Sequence, residues 1–361
     1  MRLPVTGCLI QRLLRCATGA TLLLALGFAA VLPGSASGQG TAGEPEALSR
    51  EVQQIYERSR NSVARIEAQD ANGALVGTGF FIDPSGTLVT SYSVGGESFN
   101  IVASFGESKY PARRLVADAR SGIAILQLEK AAAATPFLPL GSSAELKVAS
   151  PVVMVAYPLD LPLAPHFGMI AGFDGKYLDR YFVTTHIRAD VPVKRGQGGA
   201  PLLNMKGEAV GVVISGVDEG AACYALPIEA VNKLHQDYIR FGEPSPGRLG
   251  LRVQPAGVAS GAGSTAEVRQ VDEGGPADEA GIRVGDVIEQ IGTHPIRTPE
   301  DLLNACFYLT AGESLEMTVG RHGETITARL KAAERERPRK VPAKASRGLF
   351  DITLRPEAPS P

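Results

Sequence analysis

The sequence predicts a mostly β protein built from two globular parts, a region of antiparallel β-barrels followed by a smaller α+β domain. Short β-rich runs recur between residue 62 and about residue 226, and Gly, Pro, Asp and Asn turns separate them, which is typical of antiparallel barrels. The Pro- and Gly-containing stretch 241–247 indicates a linker to the second part. The predicted strands of the first part are Val63–Ile66, Thr78–Ile82, Ile101–Ser104, Ile123–Leu128, Val152–Ala156, Gly168–Gly172 and Ala209–Ile214.

The first 38 residues are typical of an export signal. Three arginines precede the apolar run 20–32, and the small residues 34–38 follow it, as cleavage by a signal peptidase requires. The apolar run is short for a membrane-spanning helix. We therefore expect cleavage after Ala36 or Gly38 and export to the periplasm or cell envelope, with an uncleaved membrane anchor as the alternative.

Two helices are predicted to flank the strands of the first domain. Segment 39–61 shows helical spacing at Leu48, Val52 and Ile55, and we expect this helix to pack against the domain or to mediate oligomerisation. A second helix over 228–240 is predicted to close a domain that spans 62–240.

Composition limits the classes of function. The 361 residues include 36 basic and 38 acidic side chains, and removal of the three leader arginines leaves 33 basic residues and a net charge of −5. A chain with this balance shows no sign of nucleic-acid binding. We expect no cofactor and no metal site. Cys223 and Cys306 follow the leader, one in each domain, and are predicted to be free, buried thiols.

The most informative motif is Gly196-Gln197-Gly198-Gly199-Ala200-Pro201-Leu202-Leu203-Asn204. It resembles the nucleophile loop G-N-S-G-G-P-L-L-N of the trypsin-like HtrA proteases. The resemblance places Gly198 where the catalytic serine stands in the family. Since glycine has no side chain, that position cannot supply a nucleophile.

Two further segments resemble the same family. The run 77–94 is similar to G-S-G-F-I-I-(S/D)-P-D-G-x-I-L-T-N-x-H-V, which places Ser93 at the general-base histidine. The run 118–126 is similar to D-x-x-T-D-L-A-V-L, which places Gly122 at the orienting aspartate. The resemblance thus implies a trypsin-like double β-barrel whose three catalytic positions are all replaced, a pseudoprotease. A remnant oxyanion loop at Gly196, Gln197 and Gly198 would keep its backbone donors, because these need no particular side chain.

A rebuilt catalytic set is the rival interpretation, and it would make the chain a serine-type endopeptidase with non-standard or residual catalysis. None of the five histidines, His166, His186, His235, His294 and His322, is close in sequence to Ser93. His186 lies in a predicted strand and is expected to have one solvent-facing side. Cys223 falls in a segment similar to the family strand G-F-A-I-P, which indicates a core cysteine.

The second domain, 248–333, resembles a PDZ domain. The run 274–288 is close to the PDZ signature G-S-P-A-x-x-A-G-L-x-x-G-D-x-I, and 248–253 resembles the carboxylate-binding loop. Thr298 and Pro299 are predicted to begin a helix. The resemblance implies a groove that binds unfolded proteins or protein C-termini as an added strand. The peptide-binding residues it implies are Arg248, Leu249, Gly250, Leu251, Val253, Leu302 and Leu303.

The remaining segment, 334–361, is basic and Pro-rich and ends in an alternating run, 347–355, that could fill the groove of its own molecule instead. The family resemblance implies a homotrimer, or a mixed oligomer with active relatives. From sequence we therefore expect an exported HtrA-like pseudoprotease that scaffolds or regulates envelope protein quality control.

Overall fold

The computed structural model describes residues 44–130, 134–159, 161–178, 180–256 and 265–334. The expected export signal, the Gly/Ala/Ser stretch from 257 to 264 and the basic tail from 335 onward lie outside these ranges, as does the start of the segment 39–61.

Six antiparallel strands close the first barrel. They are β1 (Val63–Asp70), β2 (Gly73–Phe81), β3 (Thr87–Ser91), β4 (Phe99–Phe105), β5 (Ser108–Asp118) and β6 (Ile123–Leu128). Their order around the barrel is β1-β2-β3-β6-β5-β4. Apolar side chains that alternate along the strands fill the interior, among them the fully buried Ile66, Phe81 and Leu126.

A second six-stranded barrel follows. Its strands are β7 (Pro151–Ala156), β8 (Ala164–Tyr177), β9 (Arg180–Ala189), β10 (Pro201–Leu203), β11 (Ala209–Val217) and β12 (Ala222–Pro227). They close in the order β10-β11-β12-β9-β8-β7. The interior holds Met154, Ile170 and Leu202, each of which is at most 1% exposed. The double barrel expected from the sequence is therefore confirmed.

The C-terminal domain is a mixed α+β unit. Its strands are β13 (Gly247–Arg248), β14 (Leu251–Ala256), β15 (Thr265–Val271), β16 (Val287–Ile291), β17 (His294–Pro295), β18 (Ser314–Arg321), β19 (Glu324–Lys331) and β20 (Ala333–Glu334). The main sheet has the order β14-β15-β16-β18-β19, with β17 on β16 and a separate β13-β20 pair. Strand β14 is consequently an edge strand of the main sheet.

Among the described residues, five α-helices accompany the sheets. They are α1 (Glu44–Ser59), α2 (Tyr92–Gly95), α3 (Ile228–Phe241), α4 (Pro276–Glu279) and α5 (Pro299–Tyr308), and short 3₁₀ turns occur at Arg60–Ser62, Ser143–Glu145 and Asp218–Gly220. Helix α5 begins with a capping box, in which Thr298 accepts from the Asp301 N–H and Asp301 accepts from the Thr298 N–H. The predicted helix start is thus confirmed. Within the described part of the chain, no helix is long and apolar enough to cross a bilayer.

Helix α5 belongs to two cores at once. Leu302 and Ala305 are buried in the core of the C-terminal domain. Phe307, 8% exposed, instead packs in the large cluster that joins the two barrels with α1 and α3. The apolar spacing of a helix does not reveal that it faces two cores, so this contact with the barrels could not be predicted from the sequence.

Polar contacts fix the same helix against the second barrel. Asn304 Oδ1 accepts hydrogen bonds from Thr184 Oγ1 at 2.6 Å and from the Thr185 N–H at 3.0 Å. Lys176 Nζ lies 3.2 Å from Glu300 Oε1. The hairpin of β8 and β9 is therefore joined to the C-terminal domain through α5.

Two details correct the sequence-based description. The predicted strand 168–172 is only the middle of β8, which runs from residue 164 to residue 177. His186 has no solvent-facing side, because it is 3% exposed and its ring lies against Phe182, with centroids 4.1 Å apart.

The two cysteines differ in burial. Cys223 is buried as expected, whereas Cys306 is only partly buried, and both thiols are free.

Candidate functional site

The structure brings Ser93, Gly122 and Gly198, the positions that the family resemblance assigns to catalysis, to one place between the barrels. Ser93 lies on α2, directly after β3, and its Oγ is 2.9 Å from Ser91 Oγ. A Cβ built on Gly198 would lie 3.1 Å from Ser91 Oγ and 3.9 Å from Ser93 Oγ. Gly122 reaches the same region through its carbonyl, which accepts from the Tyr92 N–H at 2.7 Å. The sequence alignment of the three positions is therefore consistent with their geometry.

Hydrogen bonds from Arg114 hold the segment that carries Ser93. The Arg114 guanidinium donates to the carbonyls of Gly95 and Ser98 at 3.2 and 3.1 Å, and also to the carbonyl of Gly96. A charged donor satisfies several backbone acceptors that would otherwise be costly to leave without partners. Ser93 is thus presented on a rigid turn, but its hydroxyl is no general base at neutral pH.

The backbone conformation and surroundings of Gly122 do not suit an aspartate at this position. Its φ is +77°, in the left-handed region that favours glycine. The three atoms nearest to a Cβ at this position all belong to Ile214, at 3.6 to 3.7 Å. A side chain at residue 122 would therefore point toward an apolar neighbour.

The loop 194–200 is held by hydrogen bonds on several sides. The Leu159 N–H donates to the Arg195 carbonyl at 2.7 Å, and Thr78 Oγ1 donates to the Gly196 carbonyl at 2.8 Å. The Thr78 N–H donates to the Gly198 carbonyl at 2.9 Å. These contacts come from two separate segments, so the loop has a defined backbone conformation.

Gly196 and Gly198 are among the residues of this loop whose N–H groups remain available. Neither Gly196 nor Gly198 donates its N–H to an acceptor among the residues the structure describes. The carbonyls of Arg195 and Gln197 are bonded to the Leu159 and Ala200 N–H groups, and a trans peptide points its N–H opposite to its C=O. The two free donors thus face away from the loop's own partners, as a remnant oxyanion loop requires.

Gln197 plays a part that the sequence did not predict. Its side chain is fully buried, with Oε1 accepting from the Lys194 N–H at 2.6 Å and Nε2 lying 2.8 Å from His166 Nε2. The sequence places Gln197 in the remnant oxyanion loop and assigns no role to its side chain. The inward position of His166 on β8 could have been anticipated from strand alternation, but no sequence signal joins it to a residue 31 positions away.

The other candidate groups for a rebuilt triad are occupied elsewhere. His186 Nδ1 is 2.7 Å from the Thr184 carbonyl, and burial is the main reason that its pKa falls to about 4. Burial raises the pKa of the Cys223 thiol to about 12, so it stays protonated at neutral pH. In the described ranges no group of His, Cys, Asp and Glu side chains has the arrangement of a metal site.

The second candidate site lies at the edge strand β14. Gly250, just before this strand, has a φ of +73°. Its carbonyl accepts from the Asp272 N–H at 2.8 Å, and the Leu249 carbonyl accepts from the Ala277 N–H at 2.9 Å. Within the described chain the N–H groups of Leu249 and Gly250 have no acceptor, so the loop offers adjacent backbone donors.

The side chains assigned to this groove differ in accessibility. Leu251, Val253 and Leu303 are half-buried. Leu249 and Leu302, at 4% and 3% exposure, lie inside the domain core. Arg248, also assigned to the groove, pairs through Nη1 with Asp272 Oδ2 at 3.0 Å. Its buried Nε has no partner in the described part of the chain.

Comparison with known proteins agrees with this geometry. A family model for a trypsin-like peptidase domain matches residues 77–212, and a model for a PDZ domain matches residues 267–321. A probable periplasmic serine endoprotease DegP-like of Ectopseudomonas mendocina is 30% identical over 77% of this chain and 60% of that protein. The chain belongs to the HtrA/DegP family.

Other HtrA-type proteins extend the comparison. A DegP-like protein of Rhizobium meliloti is 29% identical over 75% of this chain and 55% of its own length. The chain thus spans little more than half the length of these two curated relatives. The solved structure of the HtrA-type protease AlgW with tripeptide shares the fold, with a TM-score of 0.68, 19% identity and coverage of 80% of this chain and 98% of that chain. The relatives are named serine endoproteases.

Proposed function

We propose that this protein is a proteolytically inactive HtrA-type protein of the periplasm or cell envelope that binds protein C-termini or unfolded chains through its PDZ domain. It would scaffold or regulate protein quality control there. The observation that carries the proposal is at Gly198, where the nearest atoms to a Cβ, among the described residues, belong to Ser91 and Ser93 and not to an imidazole. A serine hydroxyl without a neighbouring base is a weak nucleophile.

The binding half of the proposal is supported by the groove. Strand β14 has a free edge, and the adjacent Leu249 and Gly250 N–H groups are free to receive a carboxylate. An extended peptide can add to such an edge through main-chain hydrogen bonds, while half-buried Leu251 and Val253 contact its last side chains. The AlgW structure is of that protease with a tripeptide, and the curated relatives are named periplasmic proteases, both of which agree with this proposal.

Self-association is part of the same proposal, as a homotrimer or a mixed oligomer with active relatives. The apolar stripe of α1 is largely used within the molecule, since Ile55 is fully buried in the barrel cluster. The outer face of β8 instead exposes Phe167, Met169 and Phe173, at 36%, 48% and 40%. An apolar row of this kind is a surface that a second chain could cover.

Two measurements on the purified chain test the proposal. The first exposes it to a fluorophosphonate probe and to casein, and we expect neither labelling nor cleavage. The second titrates a peptide with a free apolar C-terminus and its C-terminally amidated twin. We expect affinity on the order of micromolar for the acid and a loss of most binding for the amide, because the amide removes one oxygen and the charge. Serine labelling that disappears on unfolding would overturn the inactive assignment, and equal binding of both peptides would overturn the groove assignment.

A further inference from the structure

The buried contact between Gln197 and His166 fixes the proton positions of both groups. The Lys194 N–H needs an acceptor, so the carboxamide oxygen of Gln197 must face it, at 2.6 Å. The NH₂ end of the same carboxamide then faces His166 Nε2 at 2.8 Å. Since an NH₂ group only donates, Nε2 must present a lone pair, and the imidazole must be neutral with its proton on Nδ1.

This contact bears directly on the loop that holds the two free donors. Gln197 closes the turn with its own N–H, which donates to the Lys194 carbonyl at 3.2 Å, and its carbonyl accepts from the Ala200 N–H at 3.1 Å. Gly196 and Gly198 are its immediate neighbours. The side chain of Gln197 therefore joins the start of the loop to strand β8 of the barrel, where His166 lies opposite Met154 of β7.

We propose that neutral His166 is a positioning residue for the loop 194–198, and that protonation of His166 releases this loop and its Gly196 and Gly198 donors. A protonated ring carries N–H groups on both nitrogens and cannot accept from the Gln197 amide. Rotation of the carboxamide would give the ring an acceptor but would leave the Lys194 N–H facing an NH₂ group. Either arrangement breaks one of the two contacts that hold Gln197.

The surroundings of His166 set the direction of the pH dependence. The half-buried ring faces apolar Met154 across β7 and the Gln197 amide of the loop, and the charge that acts on it, among the described residues, is the Lys194 ammonium. Burial and, secondarily, this positive charge hold the pKa of His166 below its usual 6.5. The loop is consequently held at neutral pH and released in mild acid. This inference is independent of any peptide in the PDZ groove.

Amide hydrogen exchange of the full chain, followed by mass spectrometry of the segment 193–203, tests the proposal at pH 7.5 and at pH 5. The wild-type chain is compared at each pH with His166→Gln, so that the intrinsic pH dependence of exchange cancels. Glutamine places an oxygen acceptor near the position of Nε2 and does not titrate there. His235→Gln, on helix α3, is the matched control that removes a different half-buried histidine.

We expect wild type and His166→Gln to exchange alike at pH 7.5, and wild type to exchange about tenfold faster at pH 5. His235→Gln should behave as wild type at both values. A wild-type to His166→Gln ratio that is the same at both values would overturn the proposal. As a check that needs no variant, the ring C–H resonance of His166 and the amide resonances of Gly196 and Gly198 should titrate with one midpoint, and separate midpoints would contradict the inference.

Discussion

The carboxamide oxygen of Asn304 accepts the backbone N–H of Thr185 at 3.0 Å, and this bond crosses from the PDZ helix α5 to strand β9 of the second barrel. The same oxygen accepts from Thr184 Oγ1, whose residue is 1% exposed. A single side chain thus satisfies two donors of a neighbouring domain.

Replacement of Asn304 by alanine should lower the free energy of unfolding by about 1–3 kcal/mol, because both donors lose their acceptor at the interface. Urea unfolding followed by circular dichroism measures the change. Asn304→Asp keeps the acceptor oxygen and should lose less. Equal unfolding midpoints for wild type and Asn304→Ala would show that the interface contact contributes nothing.

Restoration of the three family residues should not restore proteolysis. In the triple variant Ser93→His, Gly122→Asp and Gly198→Ser, the new aspartate occupies a backbone with φ of +77° and its Cβ points at Ile214, so it is misdirected as an orienting group. Casein cleavage and fluorophosphonate labelling measure the outcome, with the double variant lacking Gly122→Asp as control. We expect no cleavage by either, and efficient cleavage by the triple variant would refute the geometric argument.

Replacement of Gly250 by valine should abolish binding of a peptide with a free C-terminus. The position has φ of +73°, which a β-branched residue rarely adopts, and a Cβ there would lie 3.2 Å from Pro276 Cδ. Gly274→Ala is the matched control, since Gly274 also has positive φ but nothing lies within 4 Å of its Cβ position. Peptide titration by fluorescence anisotropy should show loss for Gly250→Val alone. Unchanged affinity would place the ligand elsewhere.

Stability should fall in acid partly through His186. Its pKa is about 4 in the folded chain and near 6.5 when unfolded, so the two states bind protons equally above the unfolded value. As the pH falls from 6.5 toward 4, the unfolded state gains a proton that the folded state excludes. The free energy of unfolding therefore falls by roughly 3 kcal/mol in total. His186→Phe should flatten this part of a urea stability profile. An identical acid dependence in the variant would assign the loss to other groups.

Association should depend on the outer face of β8. Changing Phe167 and Met169 to serine removes the apolar row without entering the barrel, because the inward neighbours of this strand are Gly168 and Ile170. Light scattering at micromolar concentration should report a trimer for wild type and a smaller species for the double variant. Phe137→Ser, at another exposed aromatic, is the control. A monomeric wild type would refute the expected homotrimer.

The assignment of Ser93, Gly122 and Gly198 to the catalytic positions rests on the turn and strand residues around them, which keep the family pattern, and it remains a prediction. Sequence reasoning succeeded where local residues determine the structure, since Thr298 forms the expected helix cap. It failed where distant segments meet. The burial of His186 depends on Phe182 and Tyr224, and the partner of Gln197 lies on another strand. Only the closed barrel brings such residues together.

The domain boundaries expected from the sequence remain predictions, and the structure explains why composition alone locates them poorly. The linker 241–247 has the residues of a flexible connection, yet Ser245 donates its N–H to Asp237 Oδ2 at 3.0 Å. Gly247 already pairs with Glu334 in β13-β20. The composition of the stretch does not reveal hydrogen bonds of this kind.

The insertion of Phe307 into the barrel cluster has a consequence for how the chain can be divided. A fragment cut in the linker would carry a large aromatic ring with no interior to receive it, while the barrel cluster would lose the packing of Phe307 and Tyr308. Neither half is a self-sufficient folding unit in the sense of an ordinary modular protein. Heat should therefore melt barrels and PDZ domain together in one calorimetric transition rather than in two.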